Sequence, residues 1–292
     1  MTTKALFSAG AFFAAALAFT GCDTVDCPYV EGCDEVTSNV IHFEDTFRVE
    51  PQDQHRVVLL EEFTGHTCTV CPQGAKEVER LLDEYGDKII AVGIHAGTFA
   101  EPMTTGNKYT TDFRCSASET IFEFFDPPGN PMGMVSRRGP DGQKPLGMGG
   151  WEPEMTFSGI LDETPVAVMS LNVLWDDSSR TVGAQSLFGW IGTPEPGNYR
   201  VQFYLVESHI VDWQLDDGFD DEDYEHNHVL RAGMNGDWGT DVTITDVNTA
   251  ELFEAQIQLD DSWVKDNCEV VAFVYKTDTY EVFQAVHGHL PQ

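Results

Sequence analysis

The hydrophobic period changes near Thr164, and that change limits the possible folds more than any other feature of the chain. Before it, short apolar runs alternate with segments whose apolar residues recur at helical spacing. After it the period is two. Met169, Leu171, Val173 and Trp175 alternate with Ser170, Asn172 and Leu174; Tyr199, Val201, Phe203 and Leu205 alternate with Arg200, Gln202 and Tyr204; Phe253, Ala255, Ile257 and Leu259 alternate with Glu254, Gln256 and Gln258. This pattern predicts antiparallel strands buried on one face. Turn-forming stretches at 176–179 and 194–197 separate them, and 269–275 and 282–287 add two more strands. We expect an α/β domain over 55–163 followed by an all-β sandwich of immunoglobulin-like type over 164–292.

Within the first segment, 56–63 (RVVLLEEF) has the length and composition of a buried parallel strand, and Cys68-Thr69-Val70-Cys71-Pro72 follows five residues later. Thr67 is a suitable helix N-cap. Ala75, Val78, Leu82 and Tyr85 recur at helical spacing up to Gly86, which can end the helix. Both cysteines are therefore expected in the first helical turn, where unpaired amides and the helix dipole stabilise a thiolate below the ordinary thiol pKa of about 8.5. Cys68 is the expected nucleophile and Cys71, less exposed, the resolving thiol. The next expected elements are a buried strand at 88–95, a helix over Ser116–Phe125, a strand headed by Pro131 and a closing helix at 151–162. The polar stretch 97–115 is long enough for a lid or partner-binding loop.

The N-terminus bears on location. An apolar run over 5–19 follows Lys4 and ends in Phe19-Thr20-Gly21-Cys22. It is shorter than the ~20 residues of a membrane-spanning helix and resembles a bacterial lipoprotein cleavage box. We expect a signal peptide at 1–21, acylation of Cys22, and a membrane tether of polar, acidic chain over 22–54. An exported compartment permits disulfides. Besides Cys22, the cysteines are Cys27, Cys33, Cys68, Cys71, Cys115 and Cys268, and their pairing is open at this level.

Charge excludes one class of partner. Sixteen Lys and Arg against 49 Asp and Glu leave a formal charge of −33, which repels a phosphate backbone, so no nucleic-acid binding is expected. The cysteine pair has no second CxxC or nearby Cys-x-His, so a zinc site is not expected there. His66 and His95 read as structural residues. The segment 216–231 (DDGFDDEDYEHNHVLR) sets seven acids beside His226 and His228, a combination able to attract a divalent ion, but it matches no calcium loop and reads as a solvated acidic loop. No cofactor is expected.

Two resemblances follow from these residues. The order strand, CxxC helix, strand, helix, proline-headed strand and helix resembles the thioredoxin superfamily. That resemblance implies that Pro131, after Asn130, is the cis proline facing the cysteines and that Glu62 is the buried carboxylate handling the proton of Cys71. The pieces VLLEEFTGHTCTVCP, VGIHAG, NPMGMVSRRG, DYEHNHVLRAGMNGDWG and EVVAFVY, behind a lipoprotein signal, resemble the bacterial twenty-eight-kilodalton outer-membrane-protein family. The resemblance runs from about Val57 to the C-terminus. It implies a lipoprotein anchored to the outer membrane, on its periplasmic or surface face, with a thioredoxin-like domain and a sandwich. The expected activity is thiol-disulfide exchange on envelope or surface proteins carrying thiols or disulfides; the alternative is a non-catalytic surface binding or adhesin-like protein with a structural disulfide.

Overall fold

The computed structural model describes residues 39–42, 55–139, 142 and 144–291. The expected signal peptide, Cys22, Cys27, Cys33 and most of the tether lie outside them. After β1 (Asn39–His42), the chain forms β2 (Val58–Thr64), α1 (Cys71–Tyr85), β3 (Ile89–His95), α2 (Ser116–Phe125), β4 (Met132–Val135), β5 (Leu146–Gly147) and α3 (Trp151–Phe157). From there, apart from 3-10 turns at Ile160–Asp162 and Lys265–Asn267, the described elements are strands. The long strands are β8 (Thr181–Trp190), β9 (Tyr199–Glu207), β16 (Thr249–Gln258), β17 (Cys268–Lys276) and β18 (Val282–His289). Between them lie β6 (Ala167–Met169), β7 (Asn172–Asp176), β10 (Ile210–Val211), β11 (Gln214–Asp216), β12 (Phe219–Asp221), β13 (Glu225–His226), β14 (Val229–Gly233) and β15 (Thr240–Asp241).

The helices begin and end for local reasons. Pro72 stands in the first turn of α1, where its missing N–H costs nothing, and Gly86 takes φ 56° to close the helix with its N–H on the carbonyl of Leu82. The Cys115 side chain caps α2 by accepting from the Ser118 amide, and the Ser118 hydroxyl in turn accepts from the Cys115 amide. The closing helix is shorter than expected: α3 stops at Phe157, and a separate 3-10 turn covers Ile160–Asp162.

The boundary expected at 163/164 separates element types along the chain but not in space. A nine-stranded sheet runs β18-β17-β9-β14-β3-β2-β4-β5, with β15 beside β9. Its central step joins β14 to β3 in parallel at Val229 and Gly93, and the Gly93 amide donates to the carbonyl of His228 at 2.6 Å. Strands from both segments thus share one sheet, and the described residues of both fall in one compact unit. A second sheet, β1-β16-β8-β6 with β7 beside β8, packs on one face of the β9 and β17 half to make the sandwich.

This arrangement overturns the expectation of strands buried on one face for β9. Tyr199, Val201, Phe203 and Leu205 face the second sheet. Tyr204 and Val206 face the other way, into a core shared with Phe63, Ile94 and α2. All nine residues of β17 are buried for the same reason. On the other half of the sheet, α1 and α3 cover Val58, Leu60, Ile89 and Ala91. Each fully buried aliphatic or aromatic side chain is worth about 1.5–3 kcal/mol, so the shared core ties the halves together more firmly than hydrogen bonds at one strand edge.

Candidate functional site at the cysteine pair

Cys68 and Cys71 form a disulfide with Cα atoms 5.4 Å apart. The helix does not start where the sequence placed it. Its N-cap is Val70, without a side-chain cap, and Thr67 instead hydrogen-bonds to the Phe99 carbonyl. Cys71 is the first helical residue, while Cys68 lies in the preceding turn, its carbonyl accepting from the Cys71 amide at 3.2 Å. The turn forms because Gly65, Cys68 and Val70 supply carbonyls to the amides of Cys68, Cys71 and Gln73 in succession. Cys68 was expected to be the more accessible thiol, yet both sulfurs are covered, the residues being 2% and 1% exposed.

Glu62 and Pro131 come to the same place through a glycine. At Gly74, one turn into α1, a Cβ would stand 2.3 Å from Glu62 Oε1 and 2.7 Å from the Pro131 side chain. Only a residue without a side chain lets β2, α1 and the proline approach this closely. The Asn130–Pro131 peptide is cis. Glu62 is buried, its Oε1 has no hydrogen-bond partner, and burial raises its pKa to about 8. It is therefore largely protonated at neutral pH.

What covers the disulfide is the segment read from sequence as a solvated acidic loop. Residues 210–226 form a long irregular hairpin, β10 pairing with β13 and β11 with β12. Its tip is Asp217-Gly218, both at positive φ, and an Asp-Gly pair between strand-length segments is the signal for such a turn. That signal was available in the sequence and was masked by the density of acids around it. The hairpin lies across the cysteine turn: Leu215 N–H donates to the His66 carbonyl at 2.9 Å, Asp217 N–H to the Thr69 carbonyl at 3.0 Å, and the buried Gln214 amide to the Cys68 carbonyl at 3.1 Å. The 97–115 stretch clasps it from the other side. Lys108 pairs with Asp220 at 2.6 Å, Tyr109 also donates to Asp220, and Thr111 donates to Asp212.

Under the hairpin, His66, His95 and His226 gather around Phe113. Its ring centroid is 5.8 Å from His66, 5.0 Å from His95 and 4.7 Å from His226. Burial lowers all three pKa values, that of His226 to about 4, so the rings are neutral. The next ring pair, His226 and Tyr224, is 4.8 Å apart. Sequence reasoning treated these histidines separately; the fold makes them one cluster. Among the described residues, no three His, Cys, Asp or Glu side chains converge as a metal site. Cys115 and Cys268 are free thiols, and burial pushes Cys268 up to about 12.

A second buried group joins the halves. Arg137 makes two 2.7 Å hydrogen bonds to Glu61 and one of 3.1 Å to Tyr204, with Phe125, Phe273 and Tyr275 around its guanidinium. The sequence held no local sign of it, since its partners come from β2, β9 and β17.

Fold and site together define a mostly β protein with a sandwich and a CxxC disulfide closed under a hairpin. Residues 190–290 match the family model of outer membrane protein Omp28, so this part of the chain is similar to that family. The match covers the hairpin and the strands β9 to β18, and does not reach the cysteine pair. Among solved structures, HBP35 of Porphyromonas gingivalis is similar over 81% of this chain and 76% of its own, with a TM-score of 0.65 and 20% identity, a likeness of fold. A domain of the outer membrane lipoprotein Omp28 from the same organism aligns over 44% of this chain and 90% of its own, at 22% identity and a TM-score of 0.31. No curated protein matches the sequence.

Proposed function

We infer that this lipoprotein carries out thiol-disulfide exchange on envelope proteins, through a thioredoxin-like α/β portion built from β2, α1, β3, α2 and β4. The observation that carries the reading is that buried Glu62 and cis-Pro131 meet at Gly74, one helical turn after Cys71 of the Cys68–Cys71 disulfide. A CxxC held only as a staple does not need a carboxyl kept protonated beside its helix. Acylated Cys22 is the anchor in this reading.

The chemistry balances with these groups alone. A partner thiolate attacks Cys68 Sγ, forming a mixed disulfide, and Cys71 leaves with the electron pair and takes the Glu62 proton. A second partner thiolate then attacks the partner sulfur of the mixed disulfide, releasing Cys68 as thiolate. The partner is oxidised by two electrons and the pair is reduced. In reverse, Cys68 attacks a partner disulfide and Glu62, as carboxylate, accepts the proton of Cys71 so that it can resolve the intermediate. Pro131 shapes the groove in which the partner chain lies. Val70 and Phe99, exposed at the cysteine turn, offer it apolar surface.

A second reading has its own observation. Both cysteines lie under the 210–226 hairpin, which favours a surface binding protein whose disulfide is structural. Thiol trapping of the mature protein across a redox buffer separates the two. Exchange predicts a reduction potential above about −300 mV, mixed disulfides accumulating in Cys71→Ser and none in Cys68→Ser. A potential below that value, with no trapped species in either variant, leaves the binding reading.

A further inference from the structure

A cavity of about 540 Å³ opens between α1, β3 and residues 224–228. Its size is that of a small-ligand site. Ala75 and Val78 of α1 and Ala91 and Val92 of β3 give it apolar walls, and Glu62 lines it as well. That carboxyl is only 6% exposed, and its Oε1 has no partner in the protein. A buried carboxyl left unmatched is costly; Oε1 itself stands against Gly74, but the residue lines the cavity, so a group that enters the cavity can partner the carboxyl.

The charges around the mouth narrow what that is. On α1, Lys76 pairs with Asp216 at 3.5 Å, and Arg80 is held by Glu77, Glu84 and Glu152. On the opposite side, His228 sits 3.4 Å from Glu79, and Glu225 is paired with His209 at 2.6 Å. Each cation at the rim is thus already matched by acid. Among the described residues, Glu62 and Asp83 line the cavity without a cationic partner, and the chain's charge of −33 draws cations from solution.

We propose that this cavity binds an organic cation, an ammonium or guanidinium group on a short aliphatic stem, with Glu62 receiving the charged end and Ala75, Val78 and Ala91 enclosing the stem. The cation is either a free small molecule or a basic side chain presented by a peptide. Binding draws Glu62 into its ionised form and releases its proton. The other titratable groups facing the cavity are Lys76, Glu79, Arg80 and Asp83 from α1 and Tyr224, Glu225 and His228 opposite; β3 contributes none.

Calorimetry of the mature full chain with n-butylguanidinium, with n-butanol and butyrate as controls, tests this. Saturable binding of the cation alone is expected, with proton release at neutral pH and an affinity that gains about tenfold per pH unit up to about pH 8. Glu62→Gln, which has the shape of the protonated carboxyl, should lose at least about tenfold in affinity and lose the proton release. Ala75→Phe fills the cavity and should abolish binding while leaving the redox titration of the cysteine pair unchanged, so failure here and failure of the exchange reading are separable. Acetyl-Gly-Arg-Gly-amide distinguishes the sources: binding with the same Glu62 dependence assigns a peptide side chain, and binding of the free cation alone assigns a small molecule. No saturable binding of either at about 10 mM, or binding unchanged in Glu62→Gln, overturns the proposal.

Discussion

Glu62 and the buried histidines bend stability with pH in opposite directions. Burial raises Glu62 from an ordinary 4.5 to about 8, so the fold holds its proton more tightly than the unfolded chain does. The stability this contributes is complete below about pH 4.5 and is lost as pH rises through about 8. Burial lowers His226 from 6.5 to about 4. Its contribution is complete above 6.5 and is lost as pH falls through about 4. The melting temperature should therefore peak at mildly acidic pH and decline on both sides. Glu62→Gln should flatten the alkaline decline and leave the acid one; an unchanged alkaline slope would mean the carboxyl is not buried in solution. The Arg137–Glu61 pair, both residues at most 1% exposed, makes a different statement. Removing one partner strands a buried charge, so Glu61→Gln should cost about 3–5 kcal/mol in urea unfolding, whereas Glu61→Leu with Arg137→Met should recover most of it.

At the level of elements, the hairpin over the cysteine turn decides how fast the disulfide reacts. Gln214 gives the hairpin's side-chain hydrogen bonds to the cysteine turn, to the Cys68 carbonyl at 3.1 Å and the Gly65 carbonyl at 3.5 Å, each worth up to about 1 kcal/mol. Gln214→Ala should raise the opened population by up to about thirtyfold, and reduction by a small dithiol should accelerate in proportion while the unfolding midpoint moves little. An unaltered rate would mean the sulfurs are reached by another path. The sequence made the elements near the cysteines legible because strands such as β3 and helices such as α2 carry their own period. It missed the start of α1 because the N-cap preference of Thr67 competes with a turn whose carbonyls come from the backbone of Gly65, Cys68 and Val70, which leave no side-chain signature. It misjudged β9 because Tyr204 and Val206 break a period-two pattern only when read as buried, and what buries them is α2, about 80 residues earlier.

At the scale of the whole molecule, the segment that carries the cysteine pair is not a freestanding unit. The face of β2 and β3 that holds Leu59, Phe63, Val92 and Ile94 is sealed jointly by α2 and by Tyr204, Val206, Leu230 and Phe273 from the later strands. The edge of β3 is closed by β14 at Gly93, where a Cβ would stand 3.3 Å from the His228 carbonyl, and His228 itself takes φ 57° to make that approach. The stretch around His226 and His228 is thus the seam of the molecule, burying one histidine beside the cysteine turn while the next turns the chain into the central sheet. Cutting the chain at 163 would expose the aromatic half of a core, leave Arg137 without Tyr204, and bare the edge of a central strand. Residues 55–163 produced alone should therefore show no cooperative unfolding and should bind a hydrophobic dye, while the mature chain unfolds in one transition reported alike by tryptophan fluorescence and by circular dichroism. Two separated transitions in the mature chain, or a cooperative isolated segment, would show that the seam at Gly93 and Val229 is an interface between independent domains and that the cysteine pair can work without the sandwich.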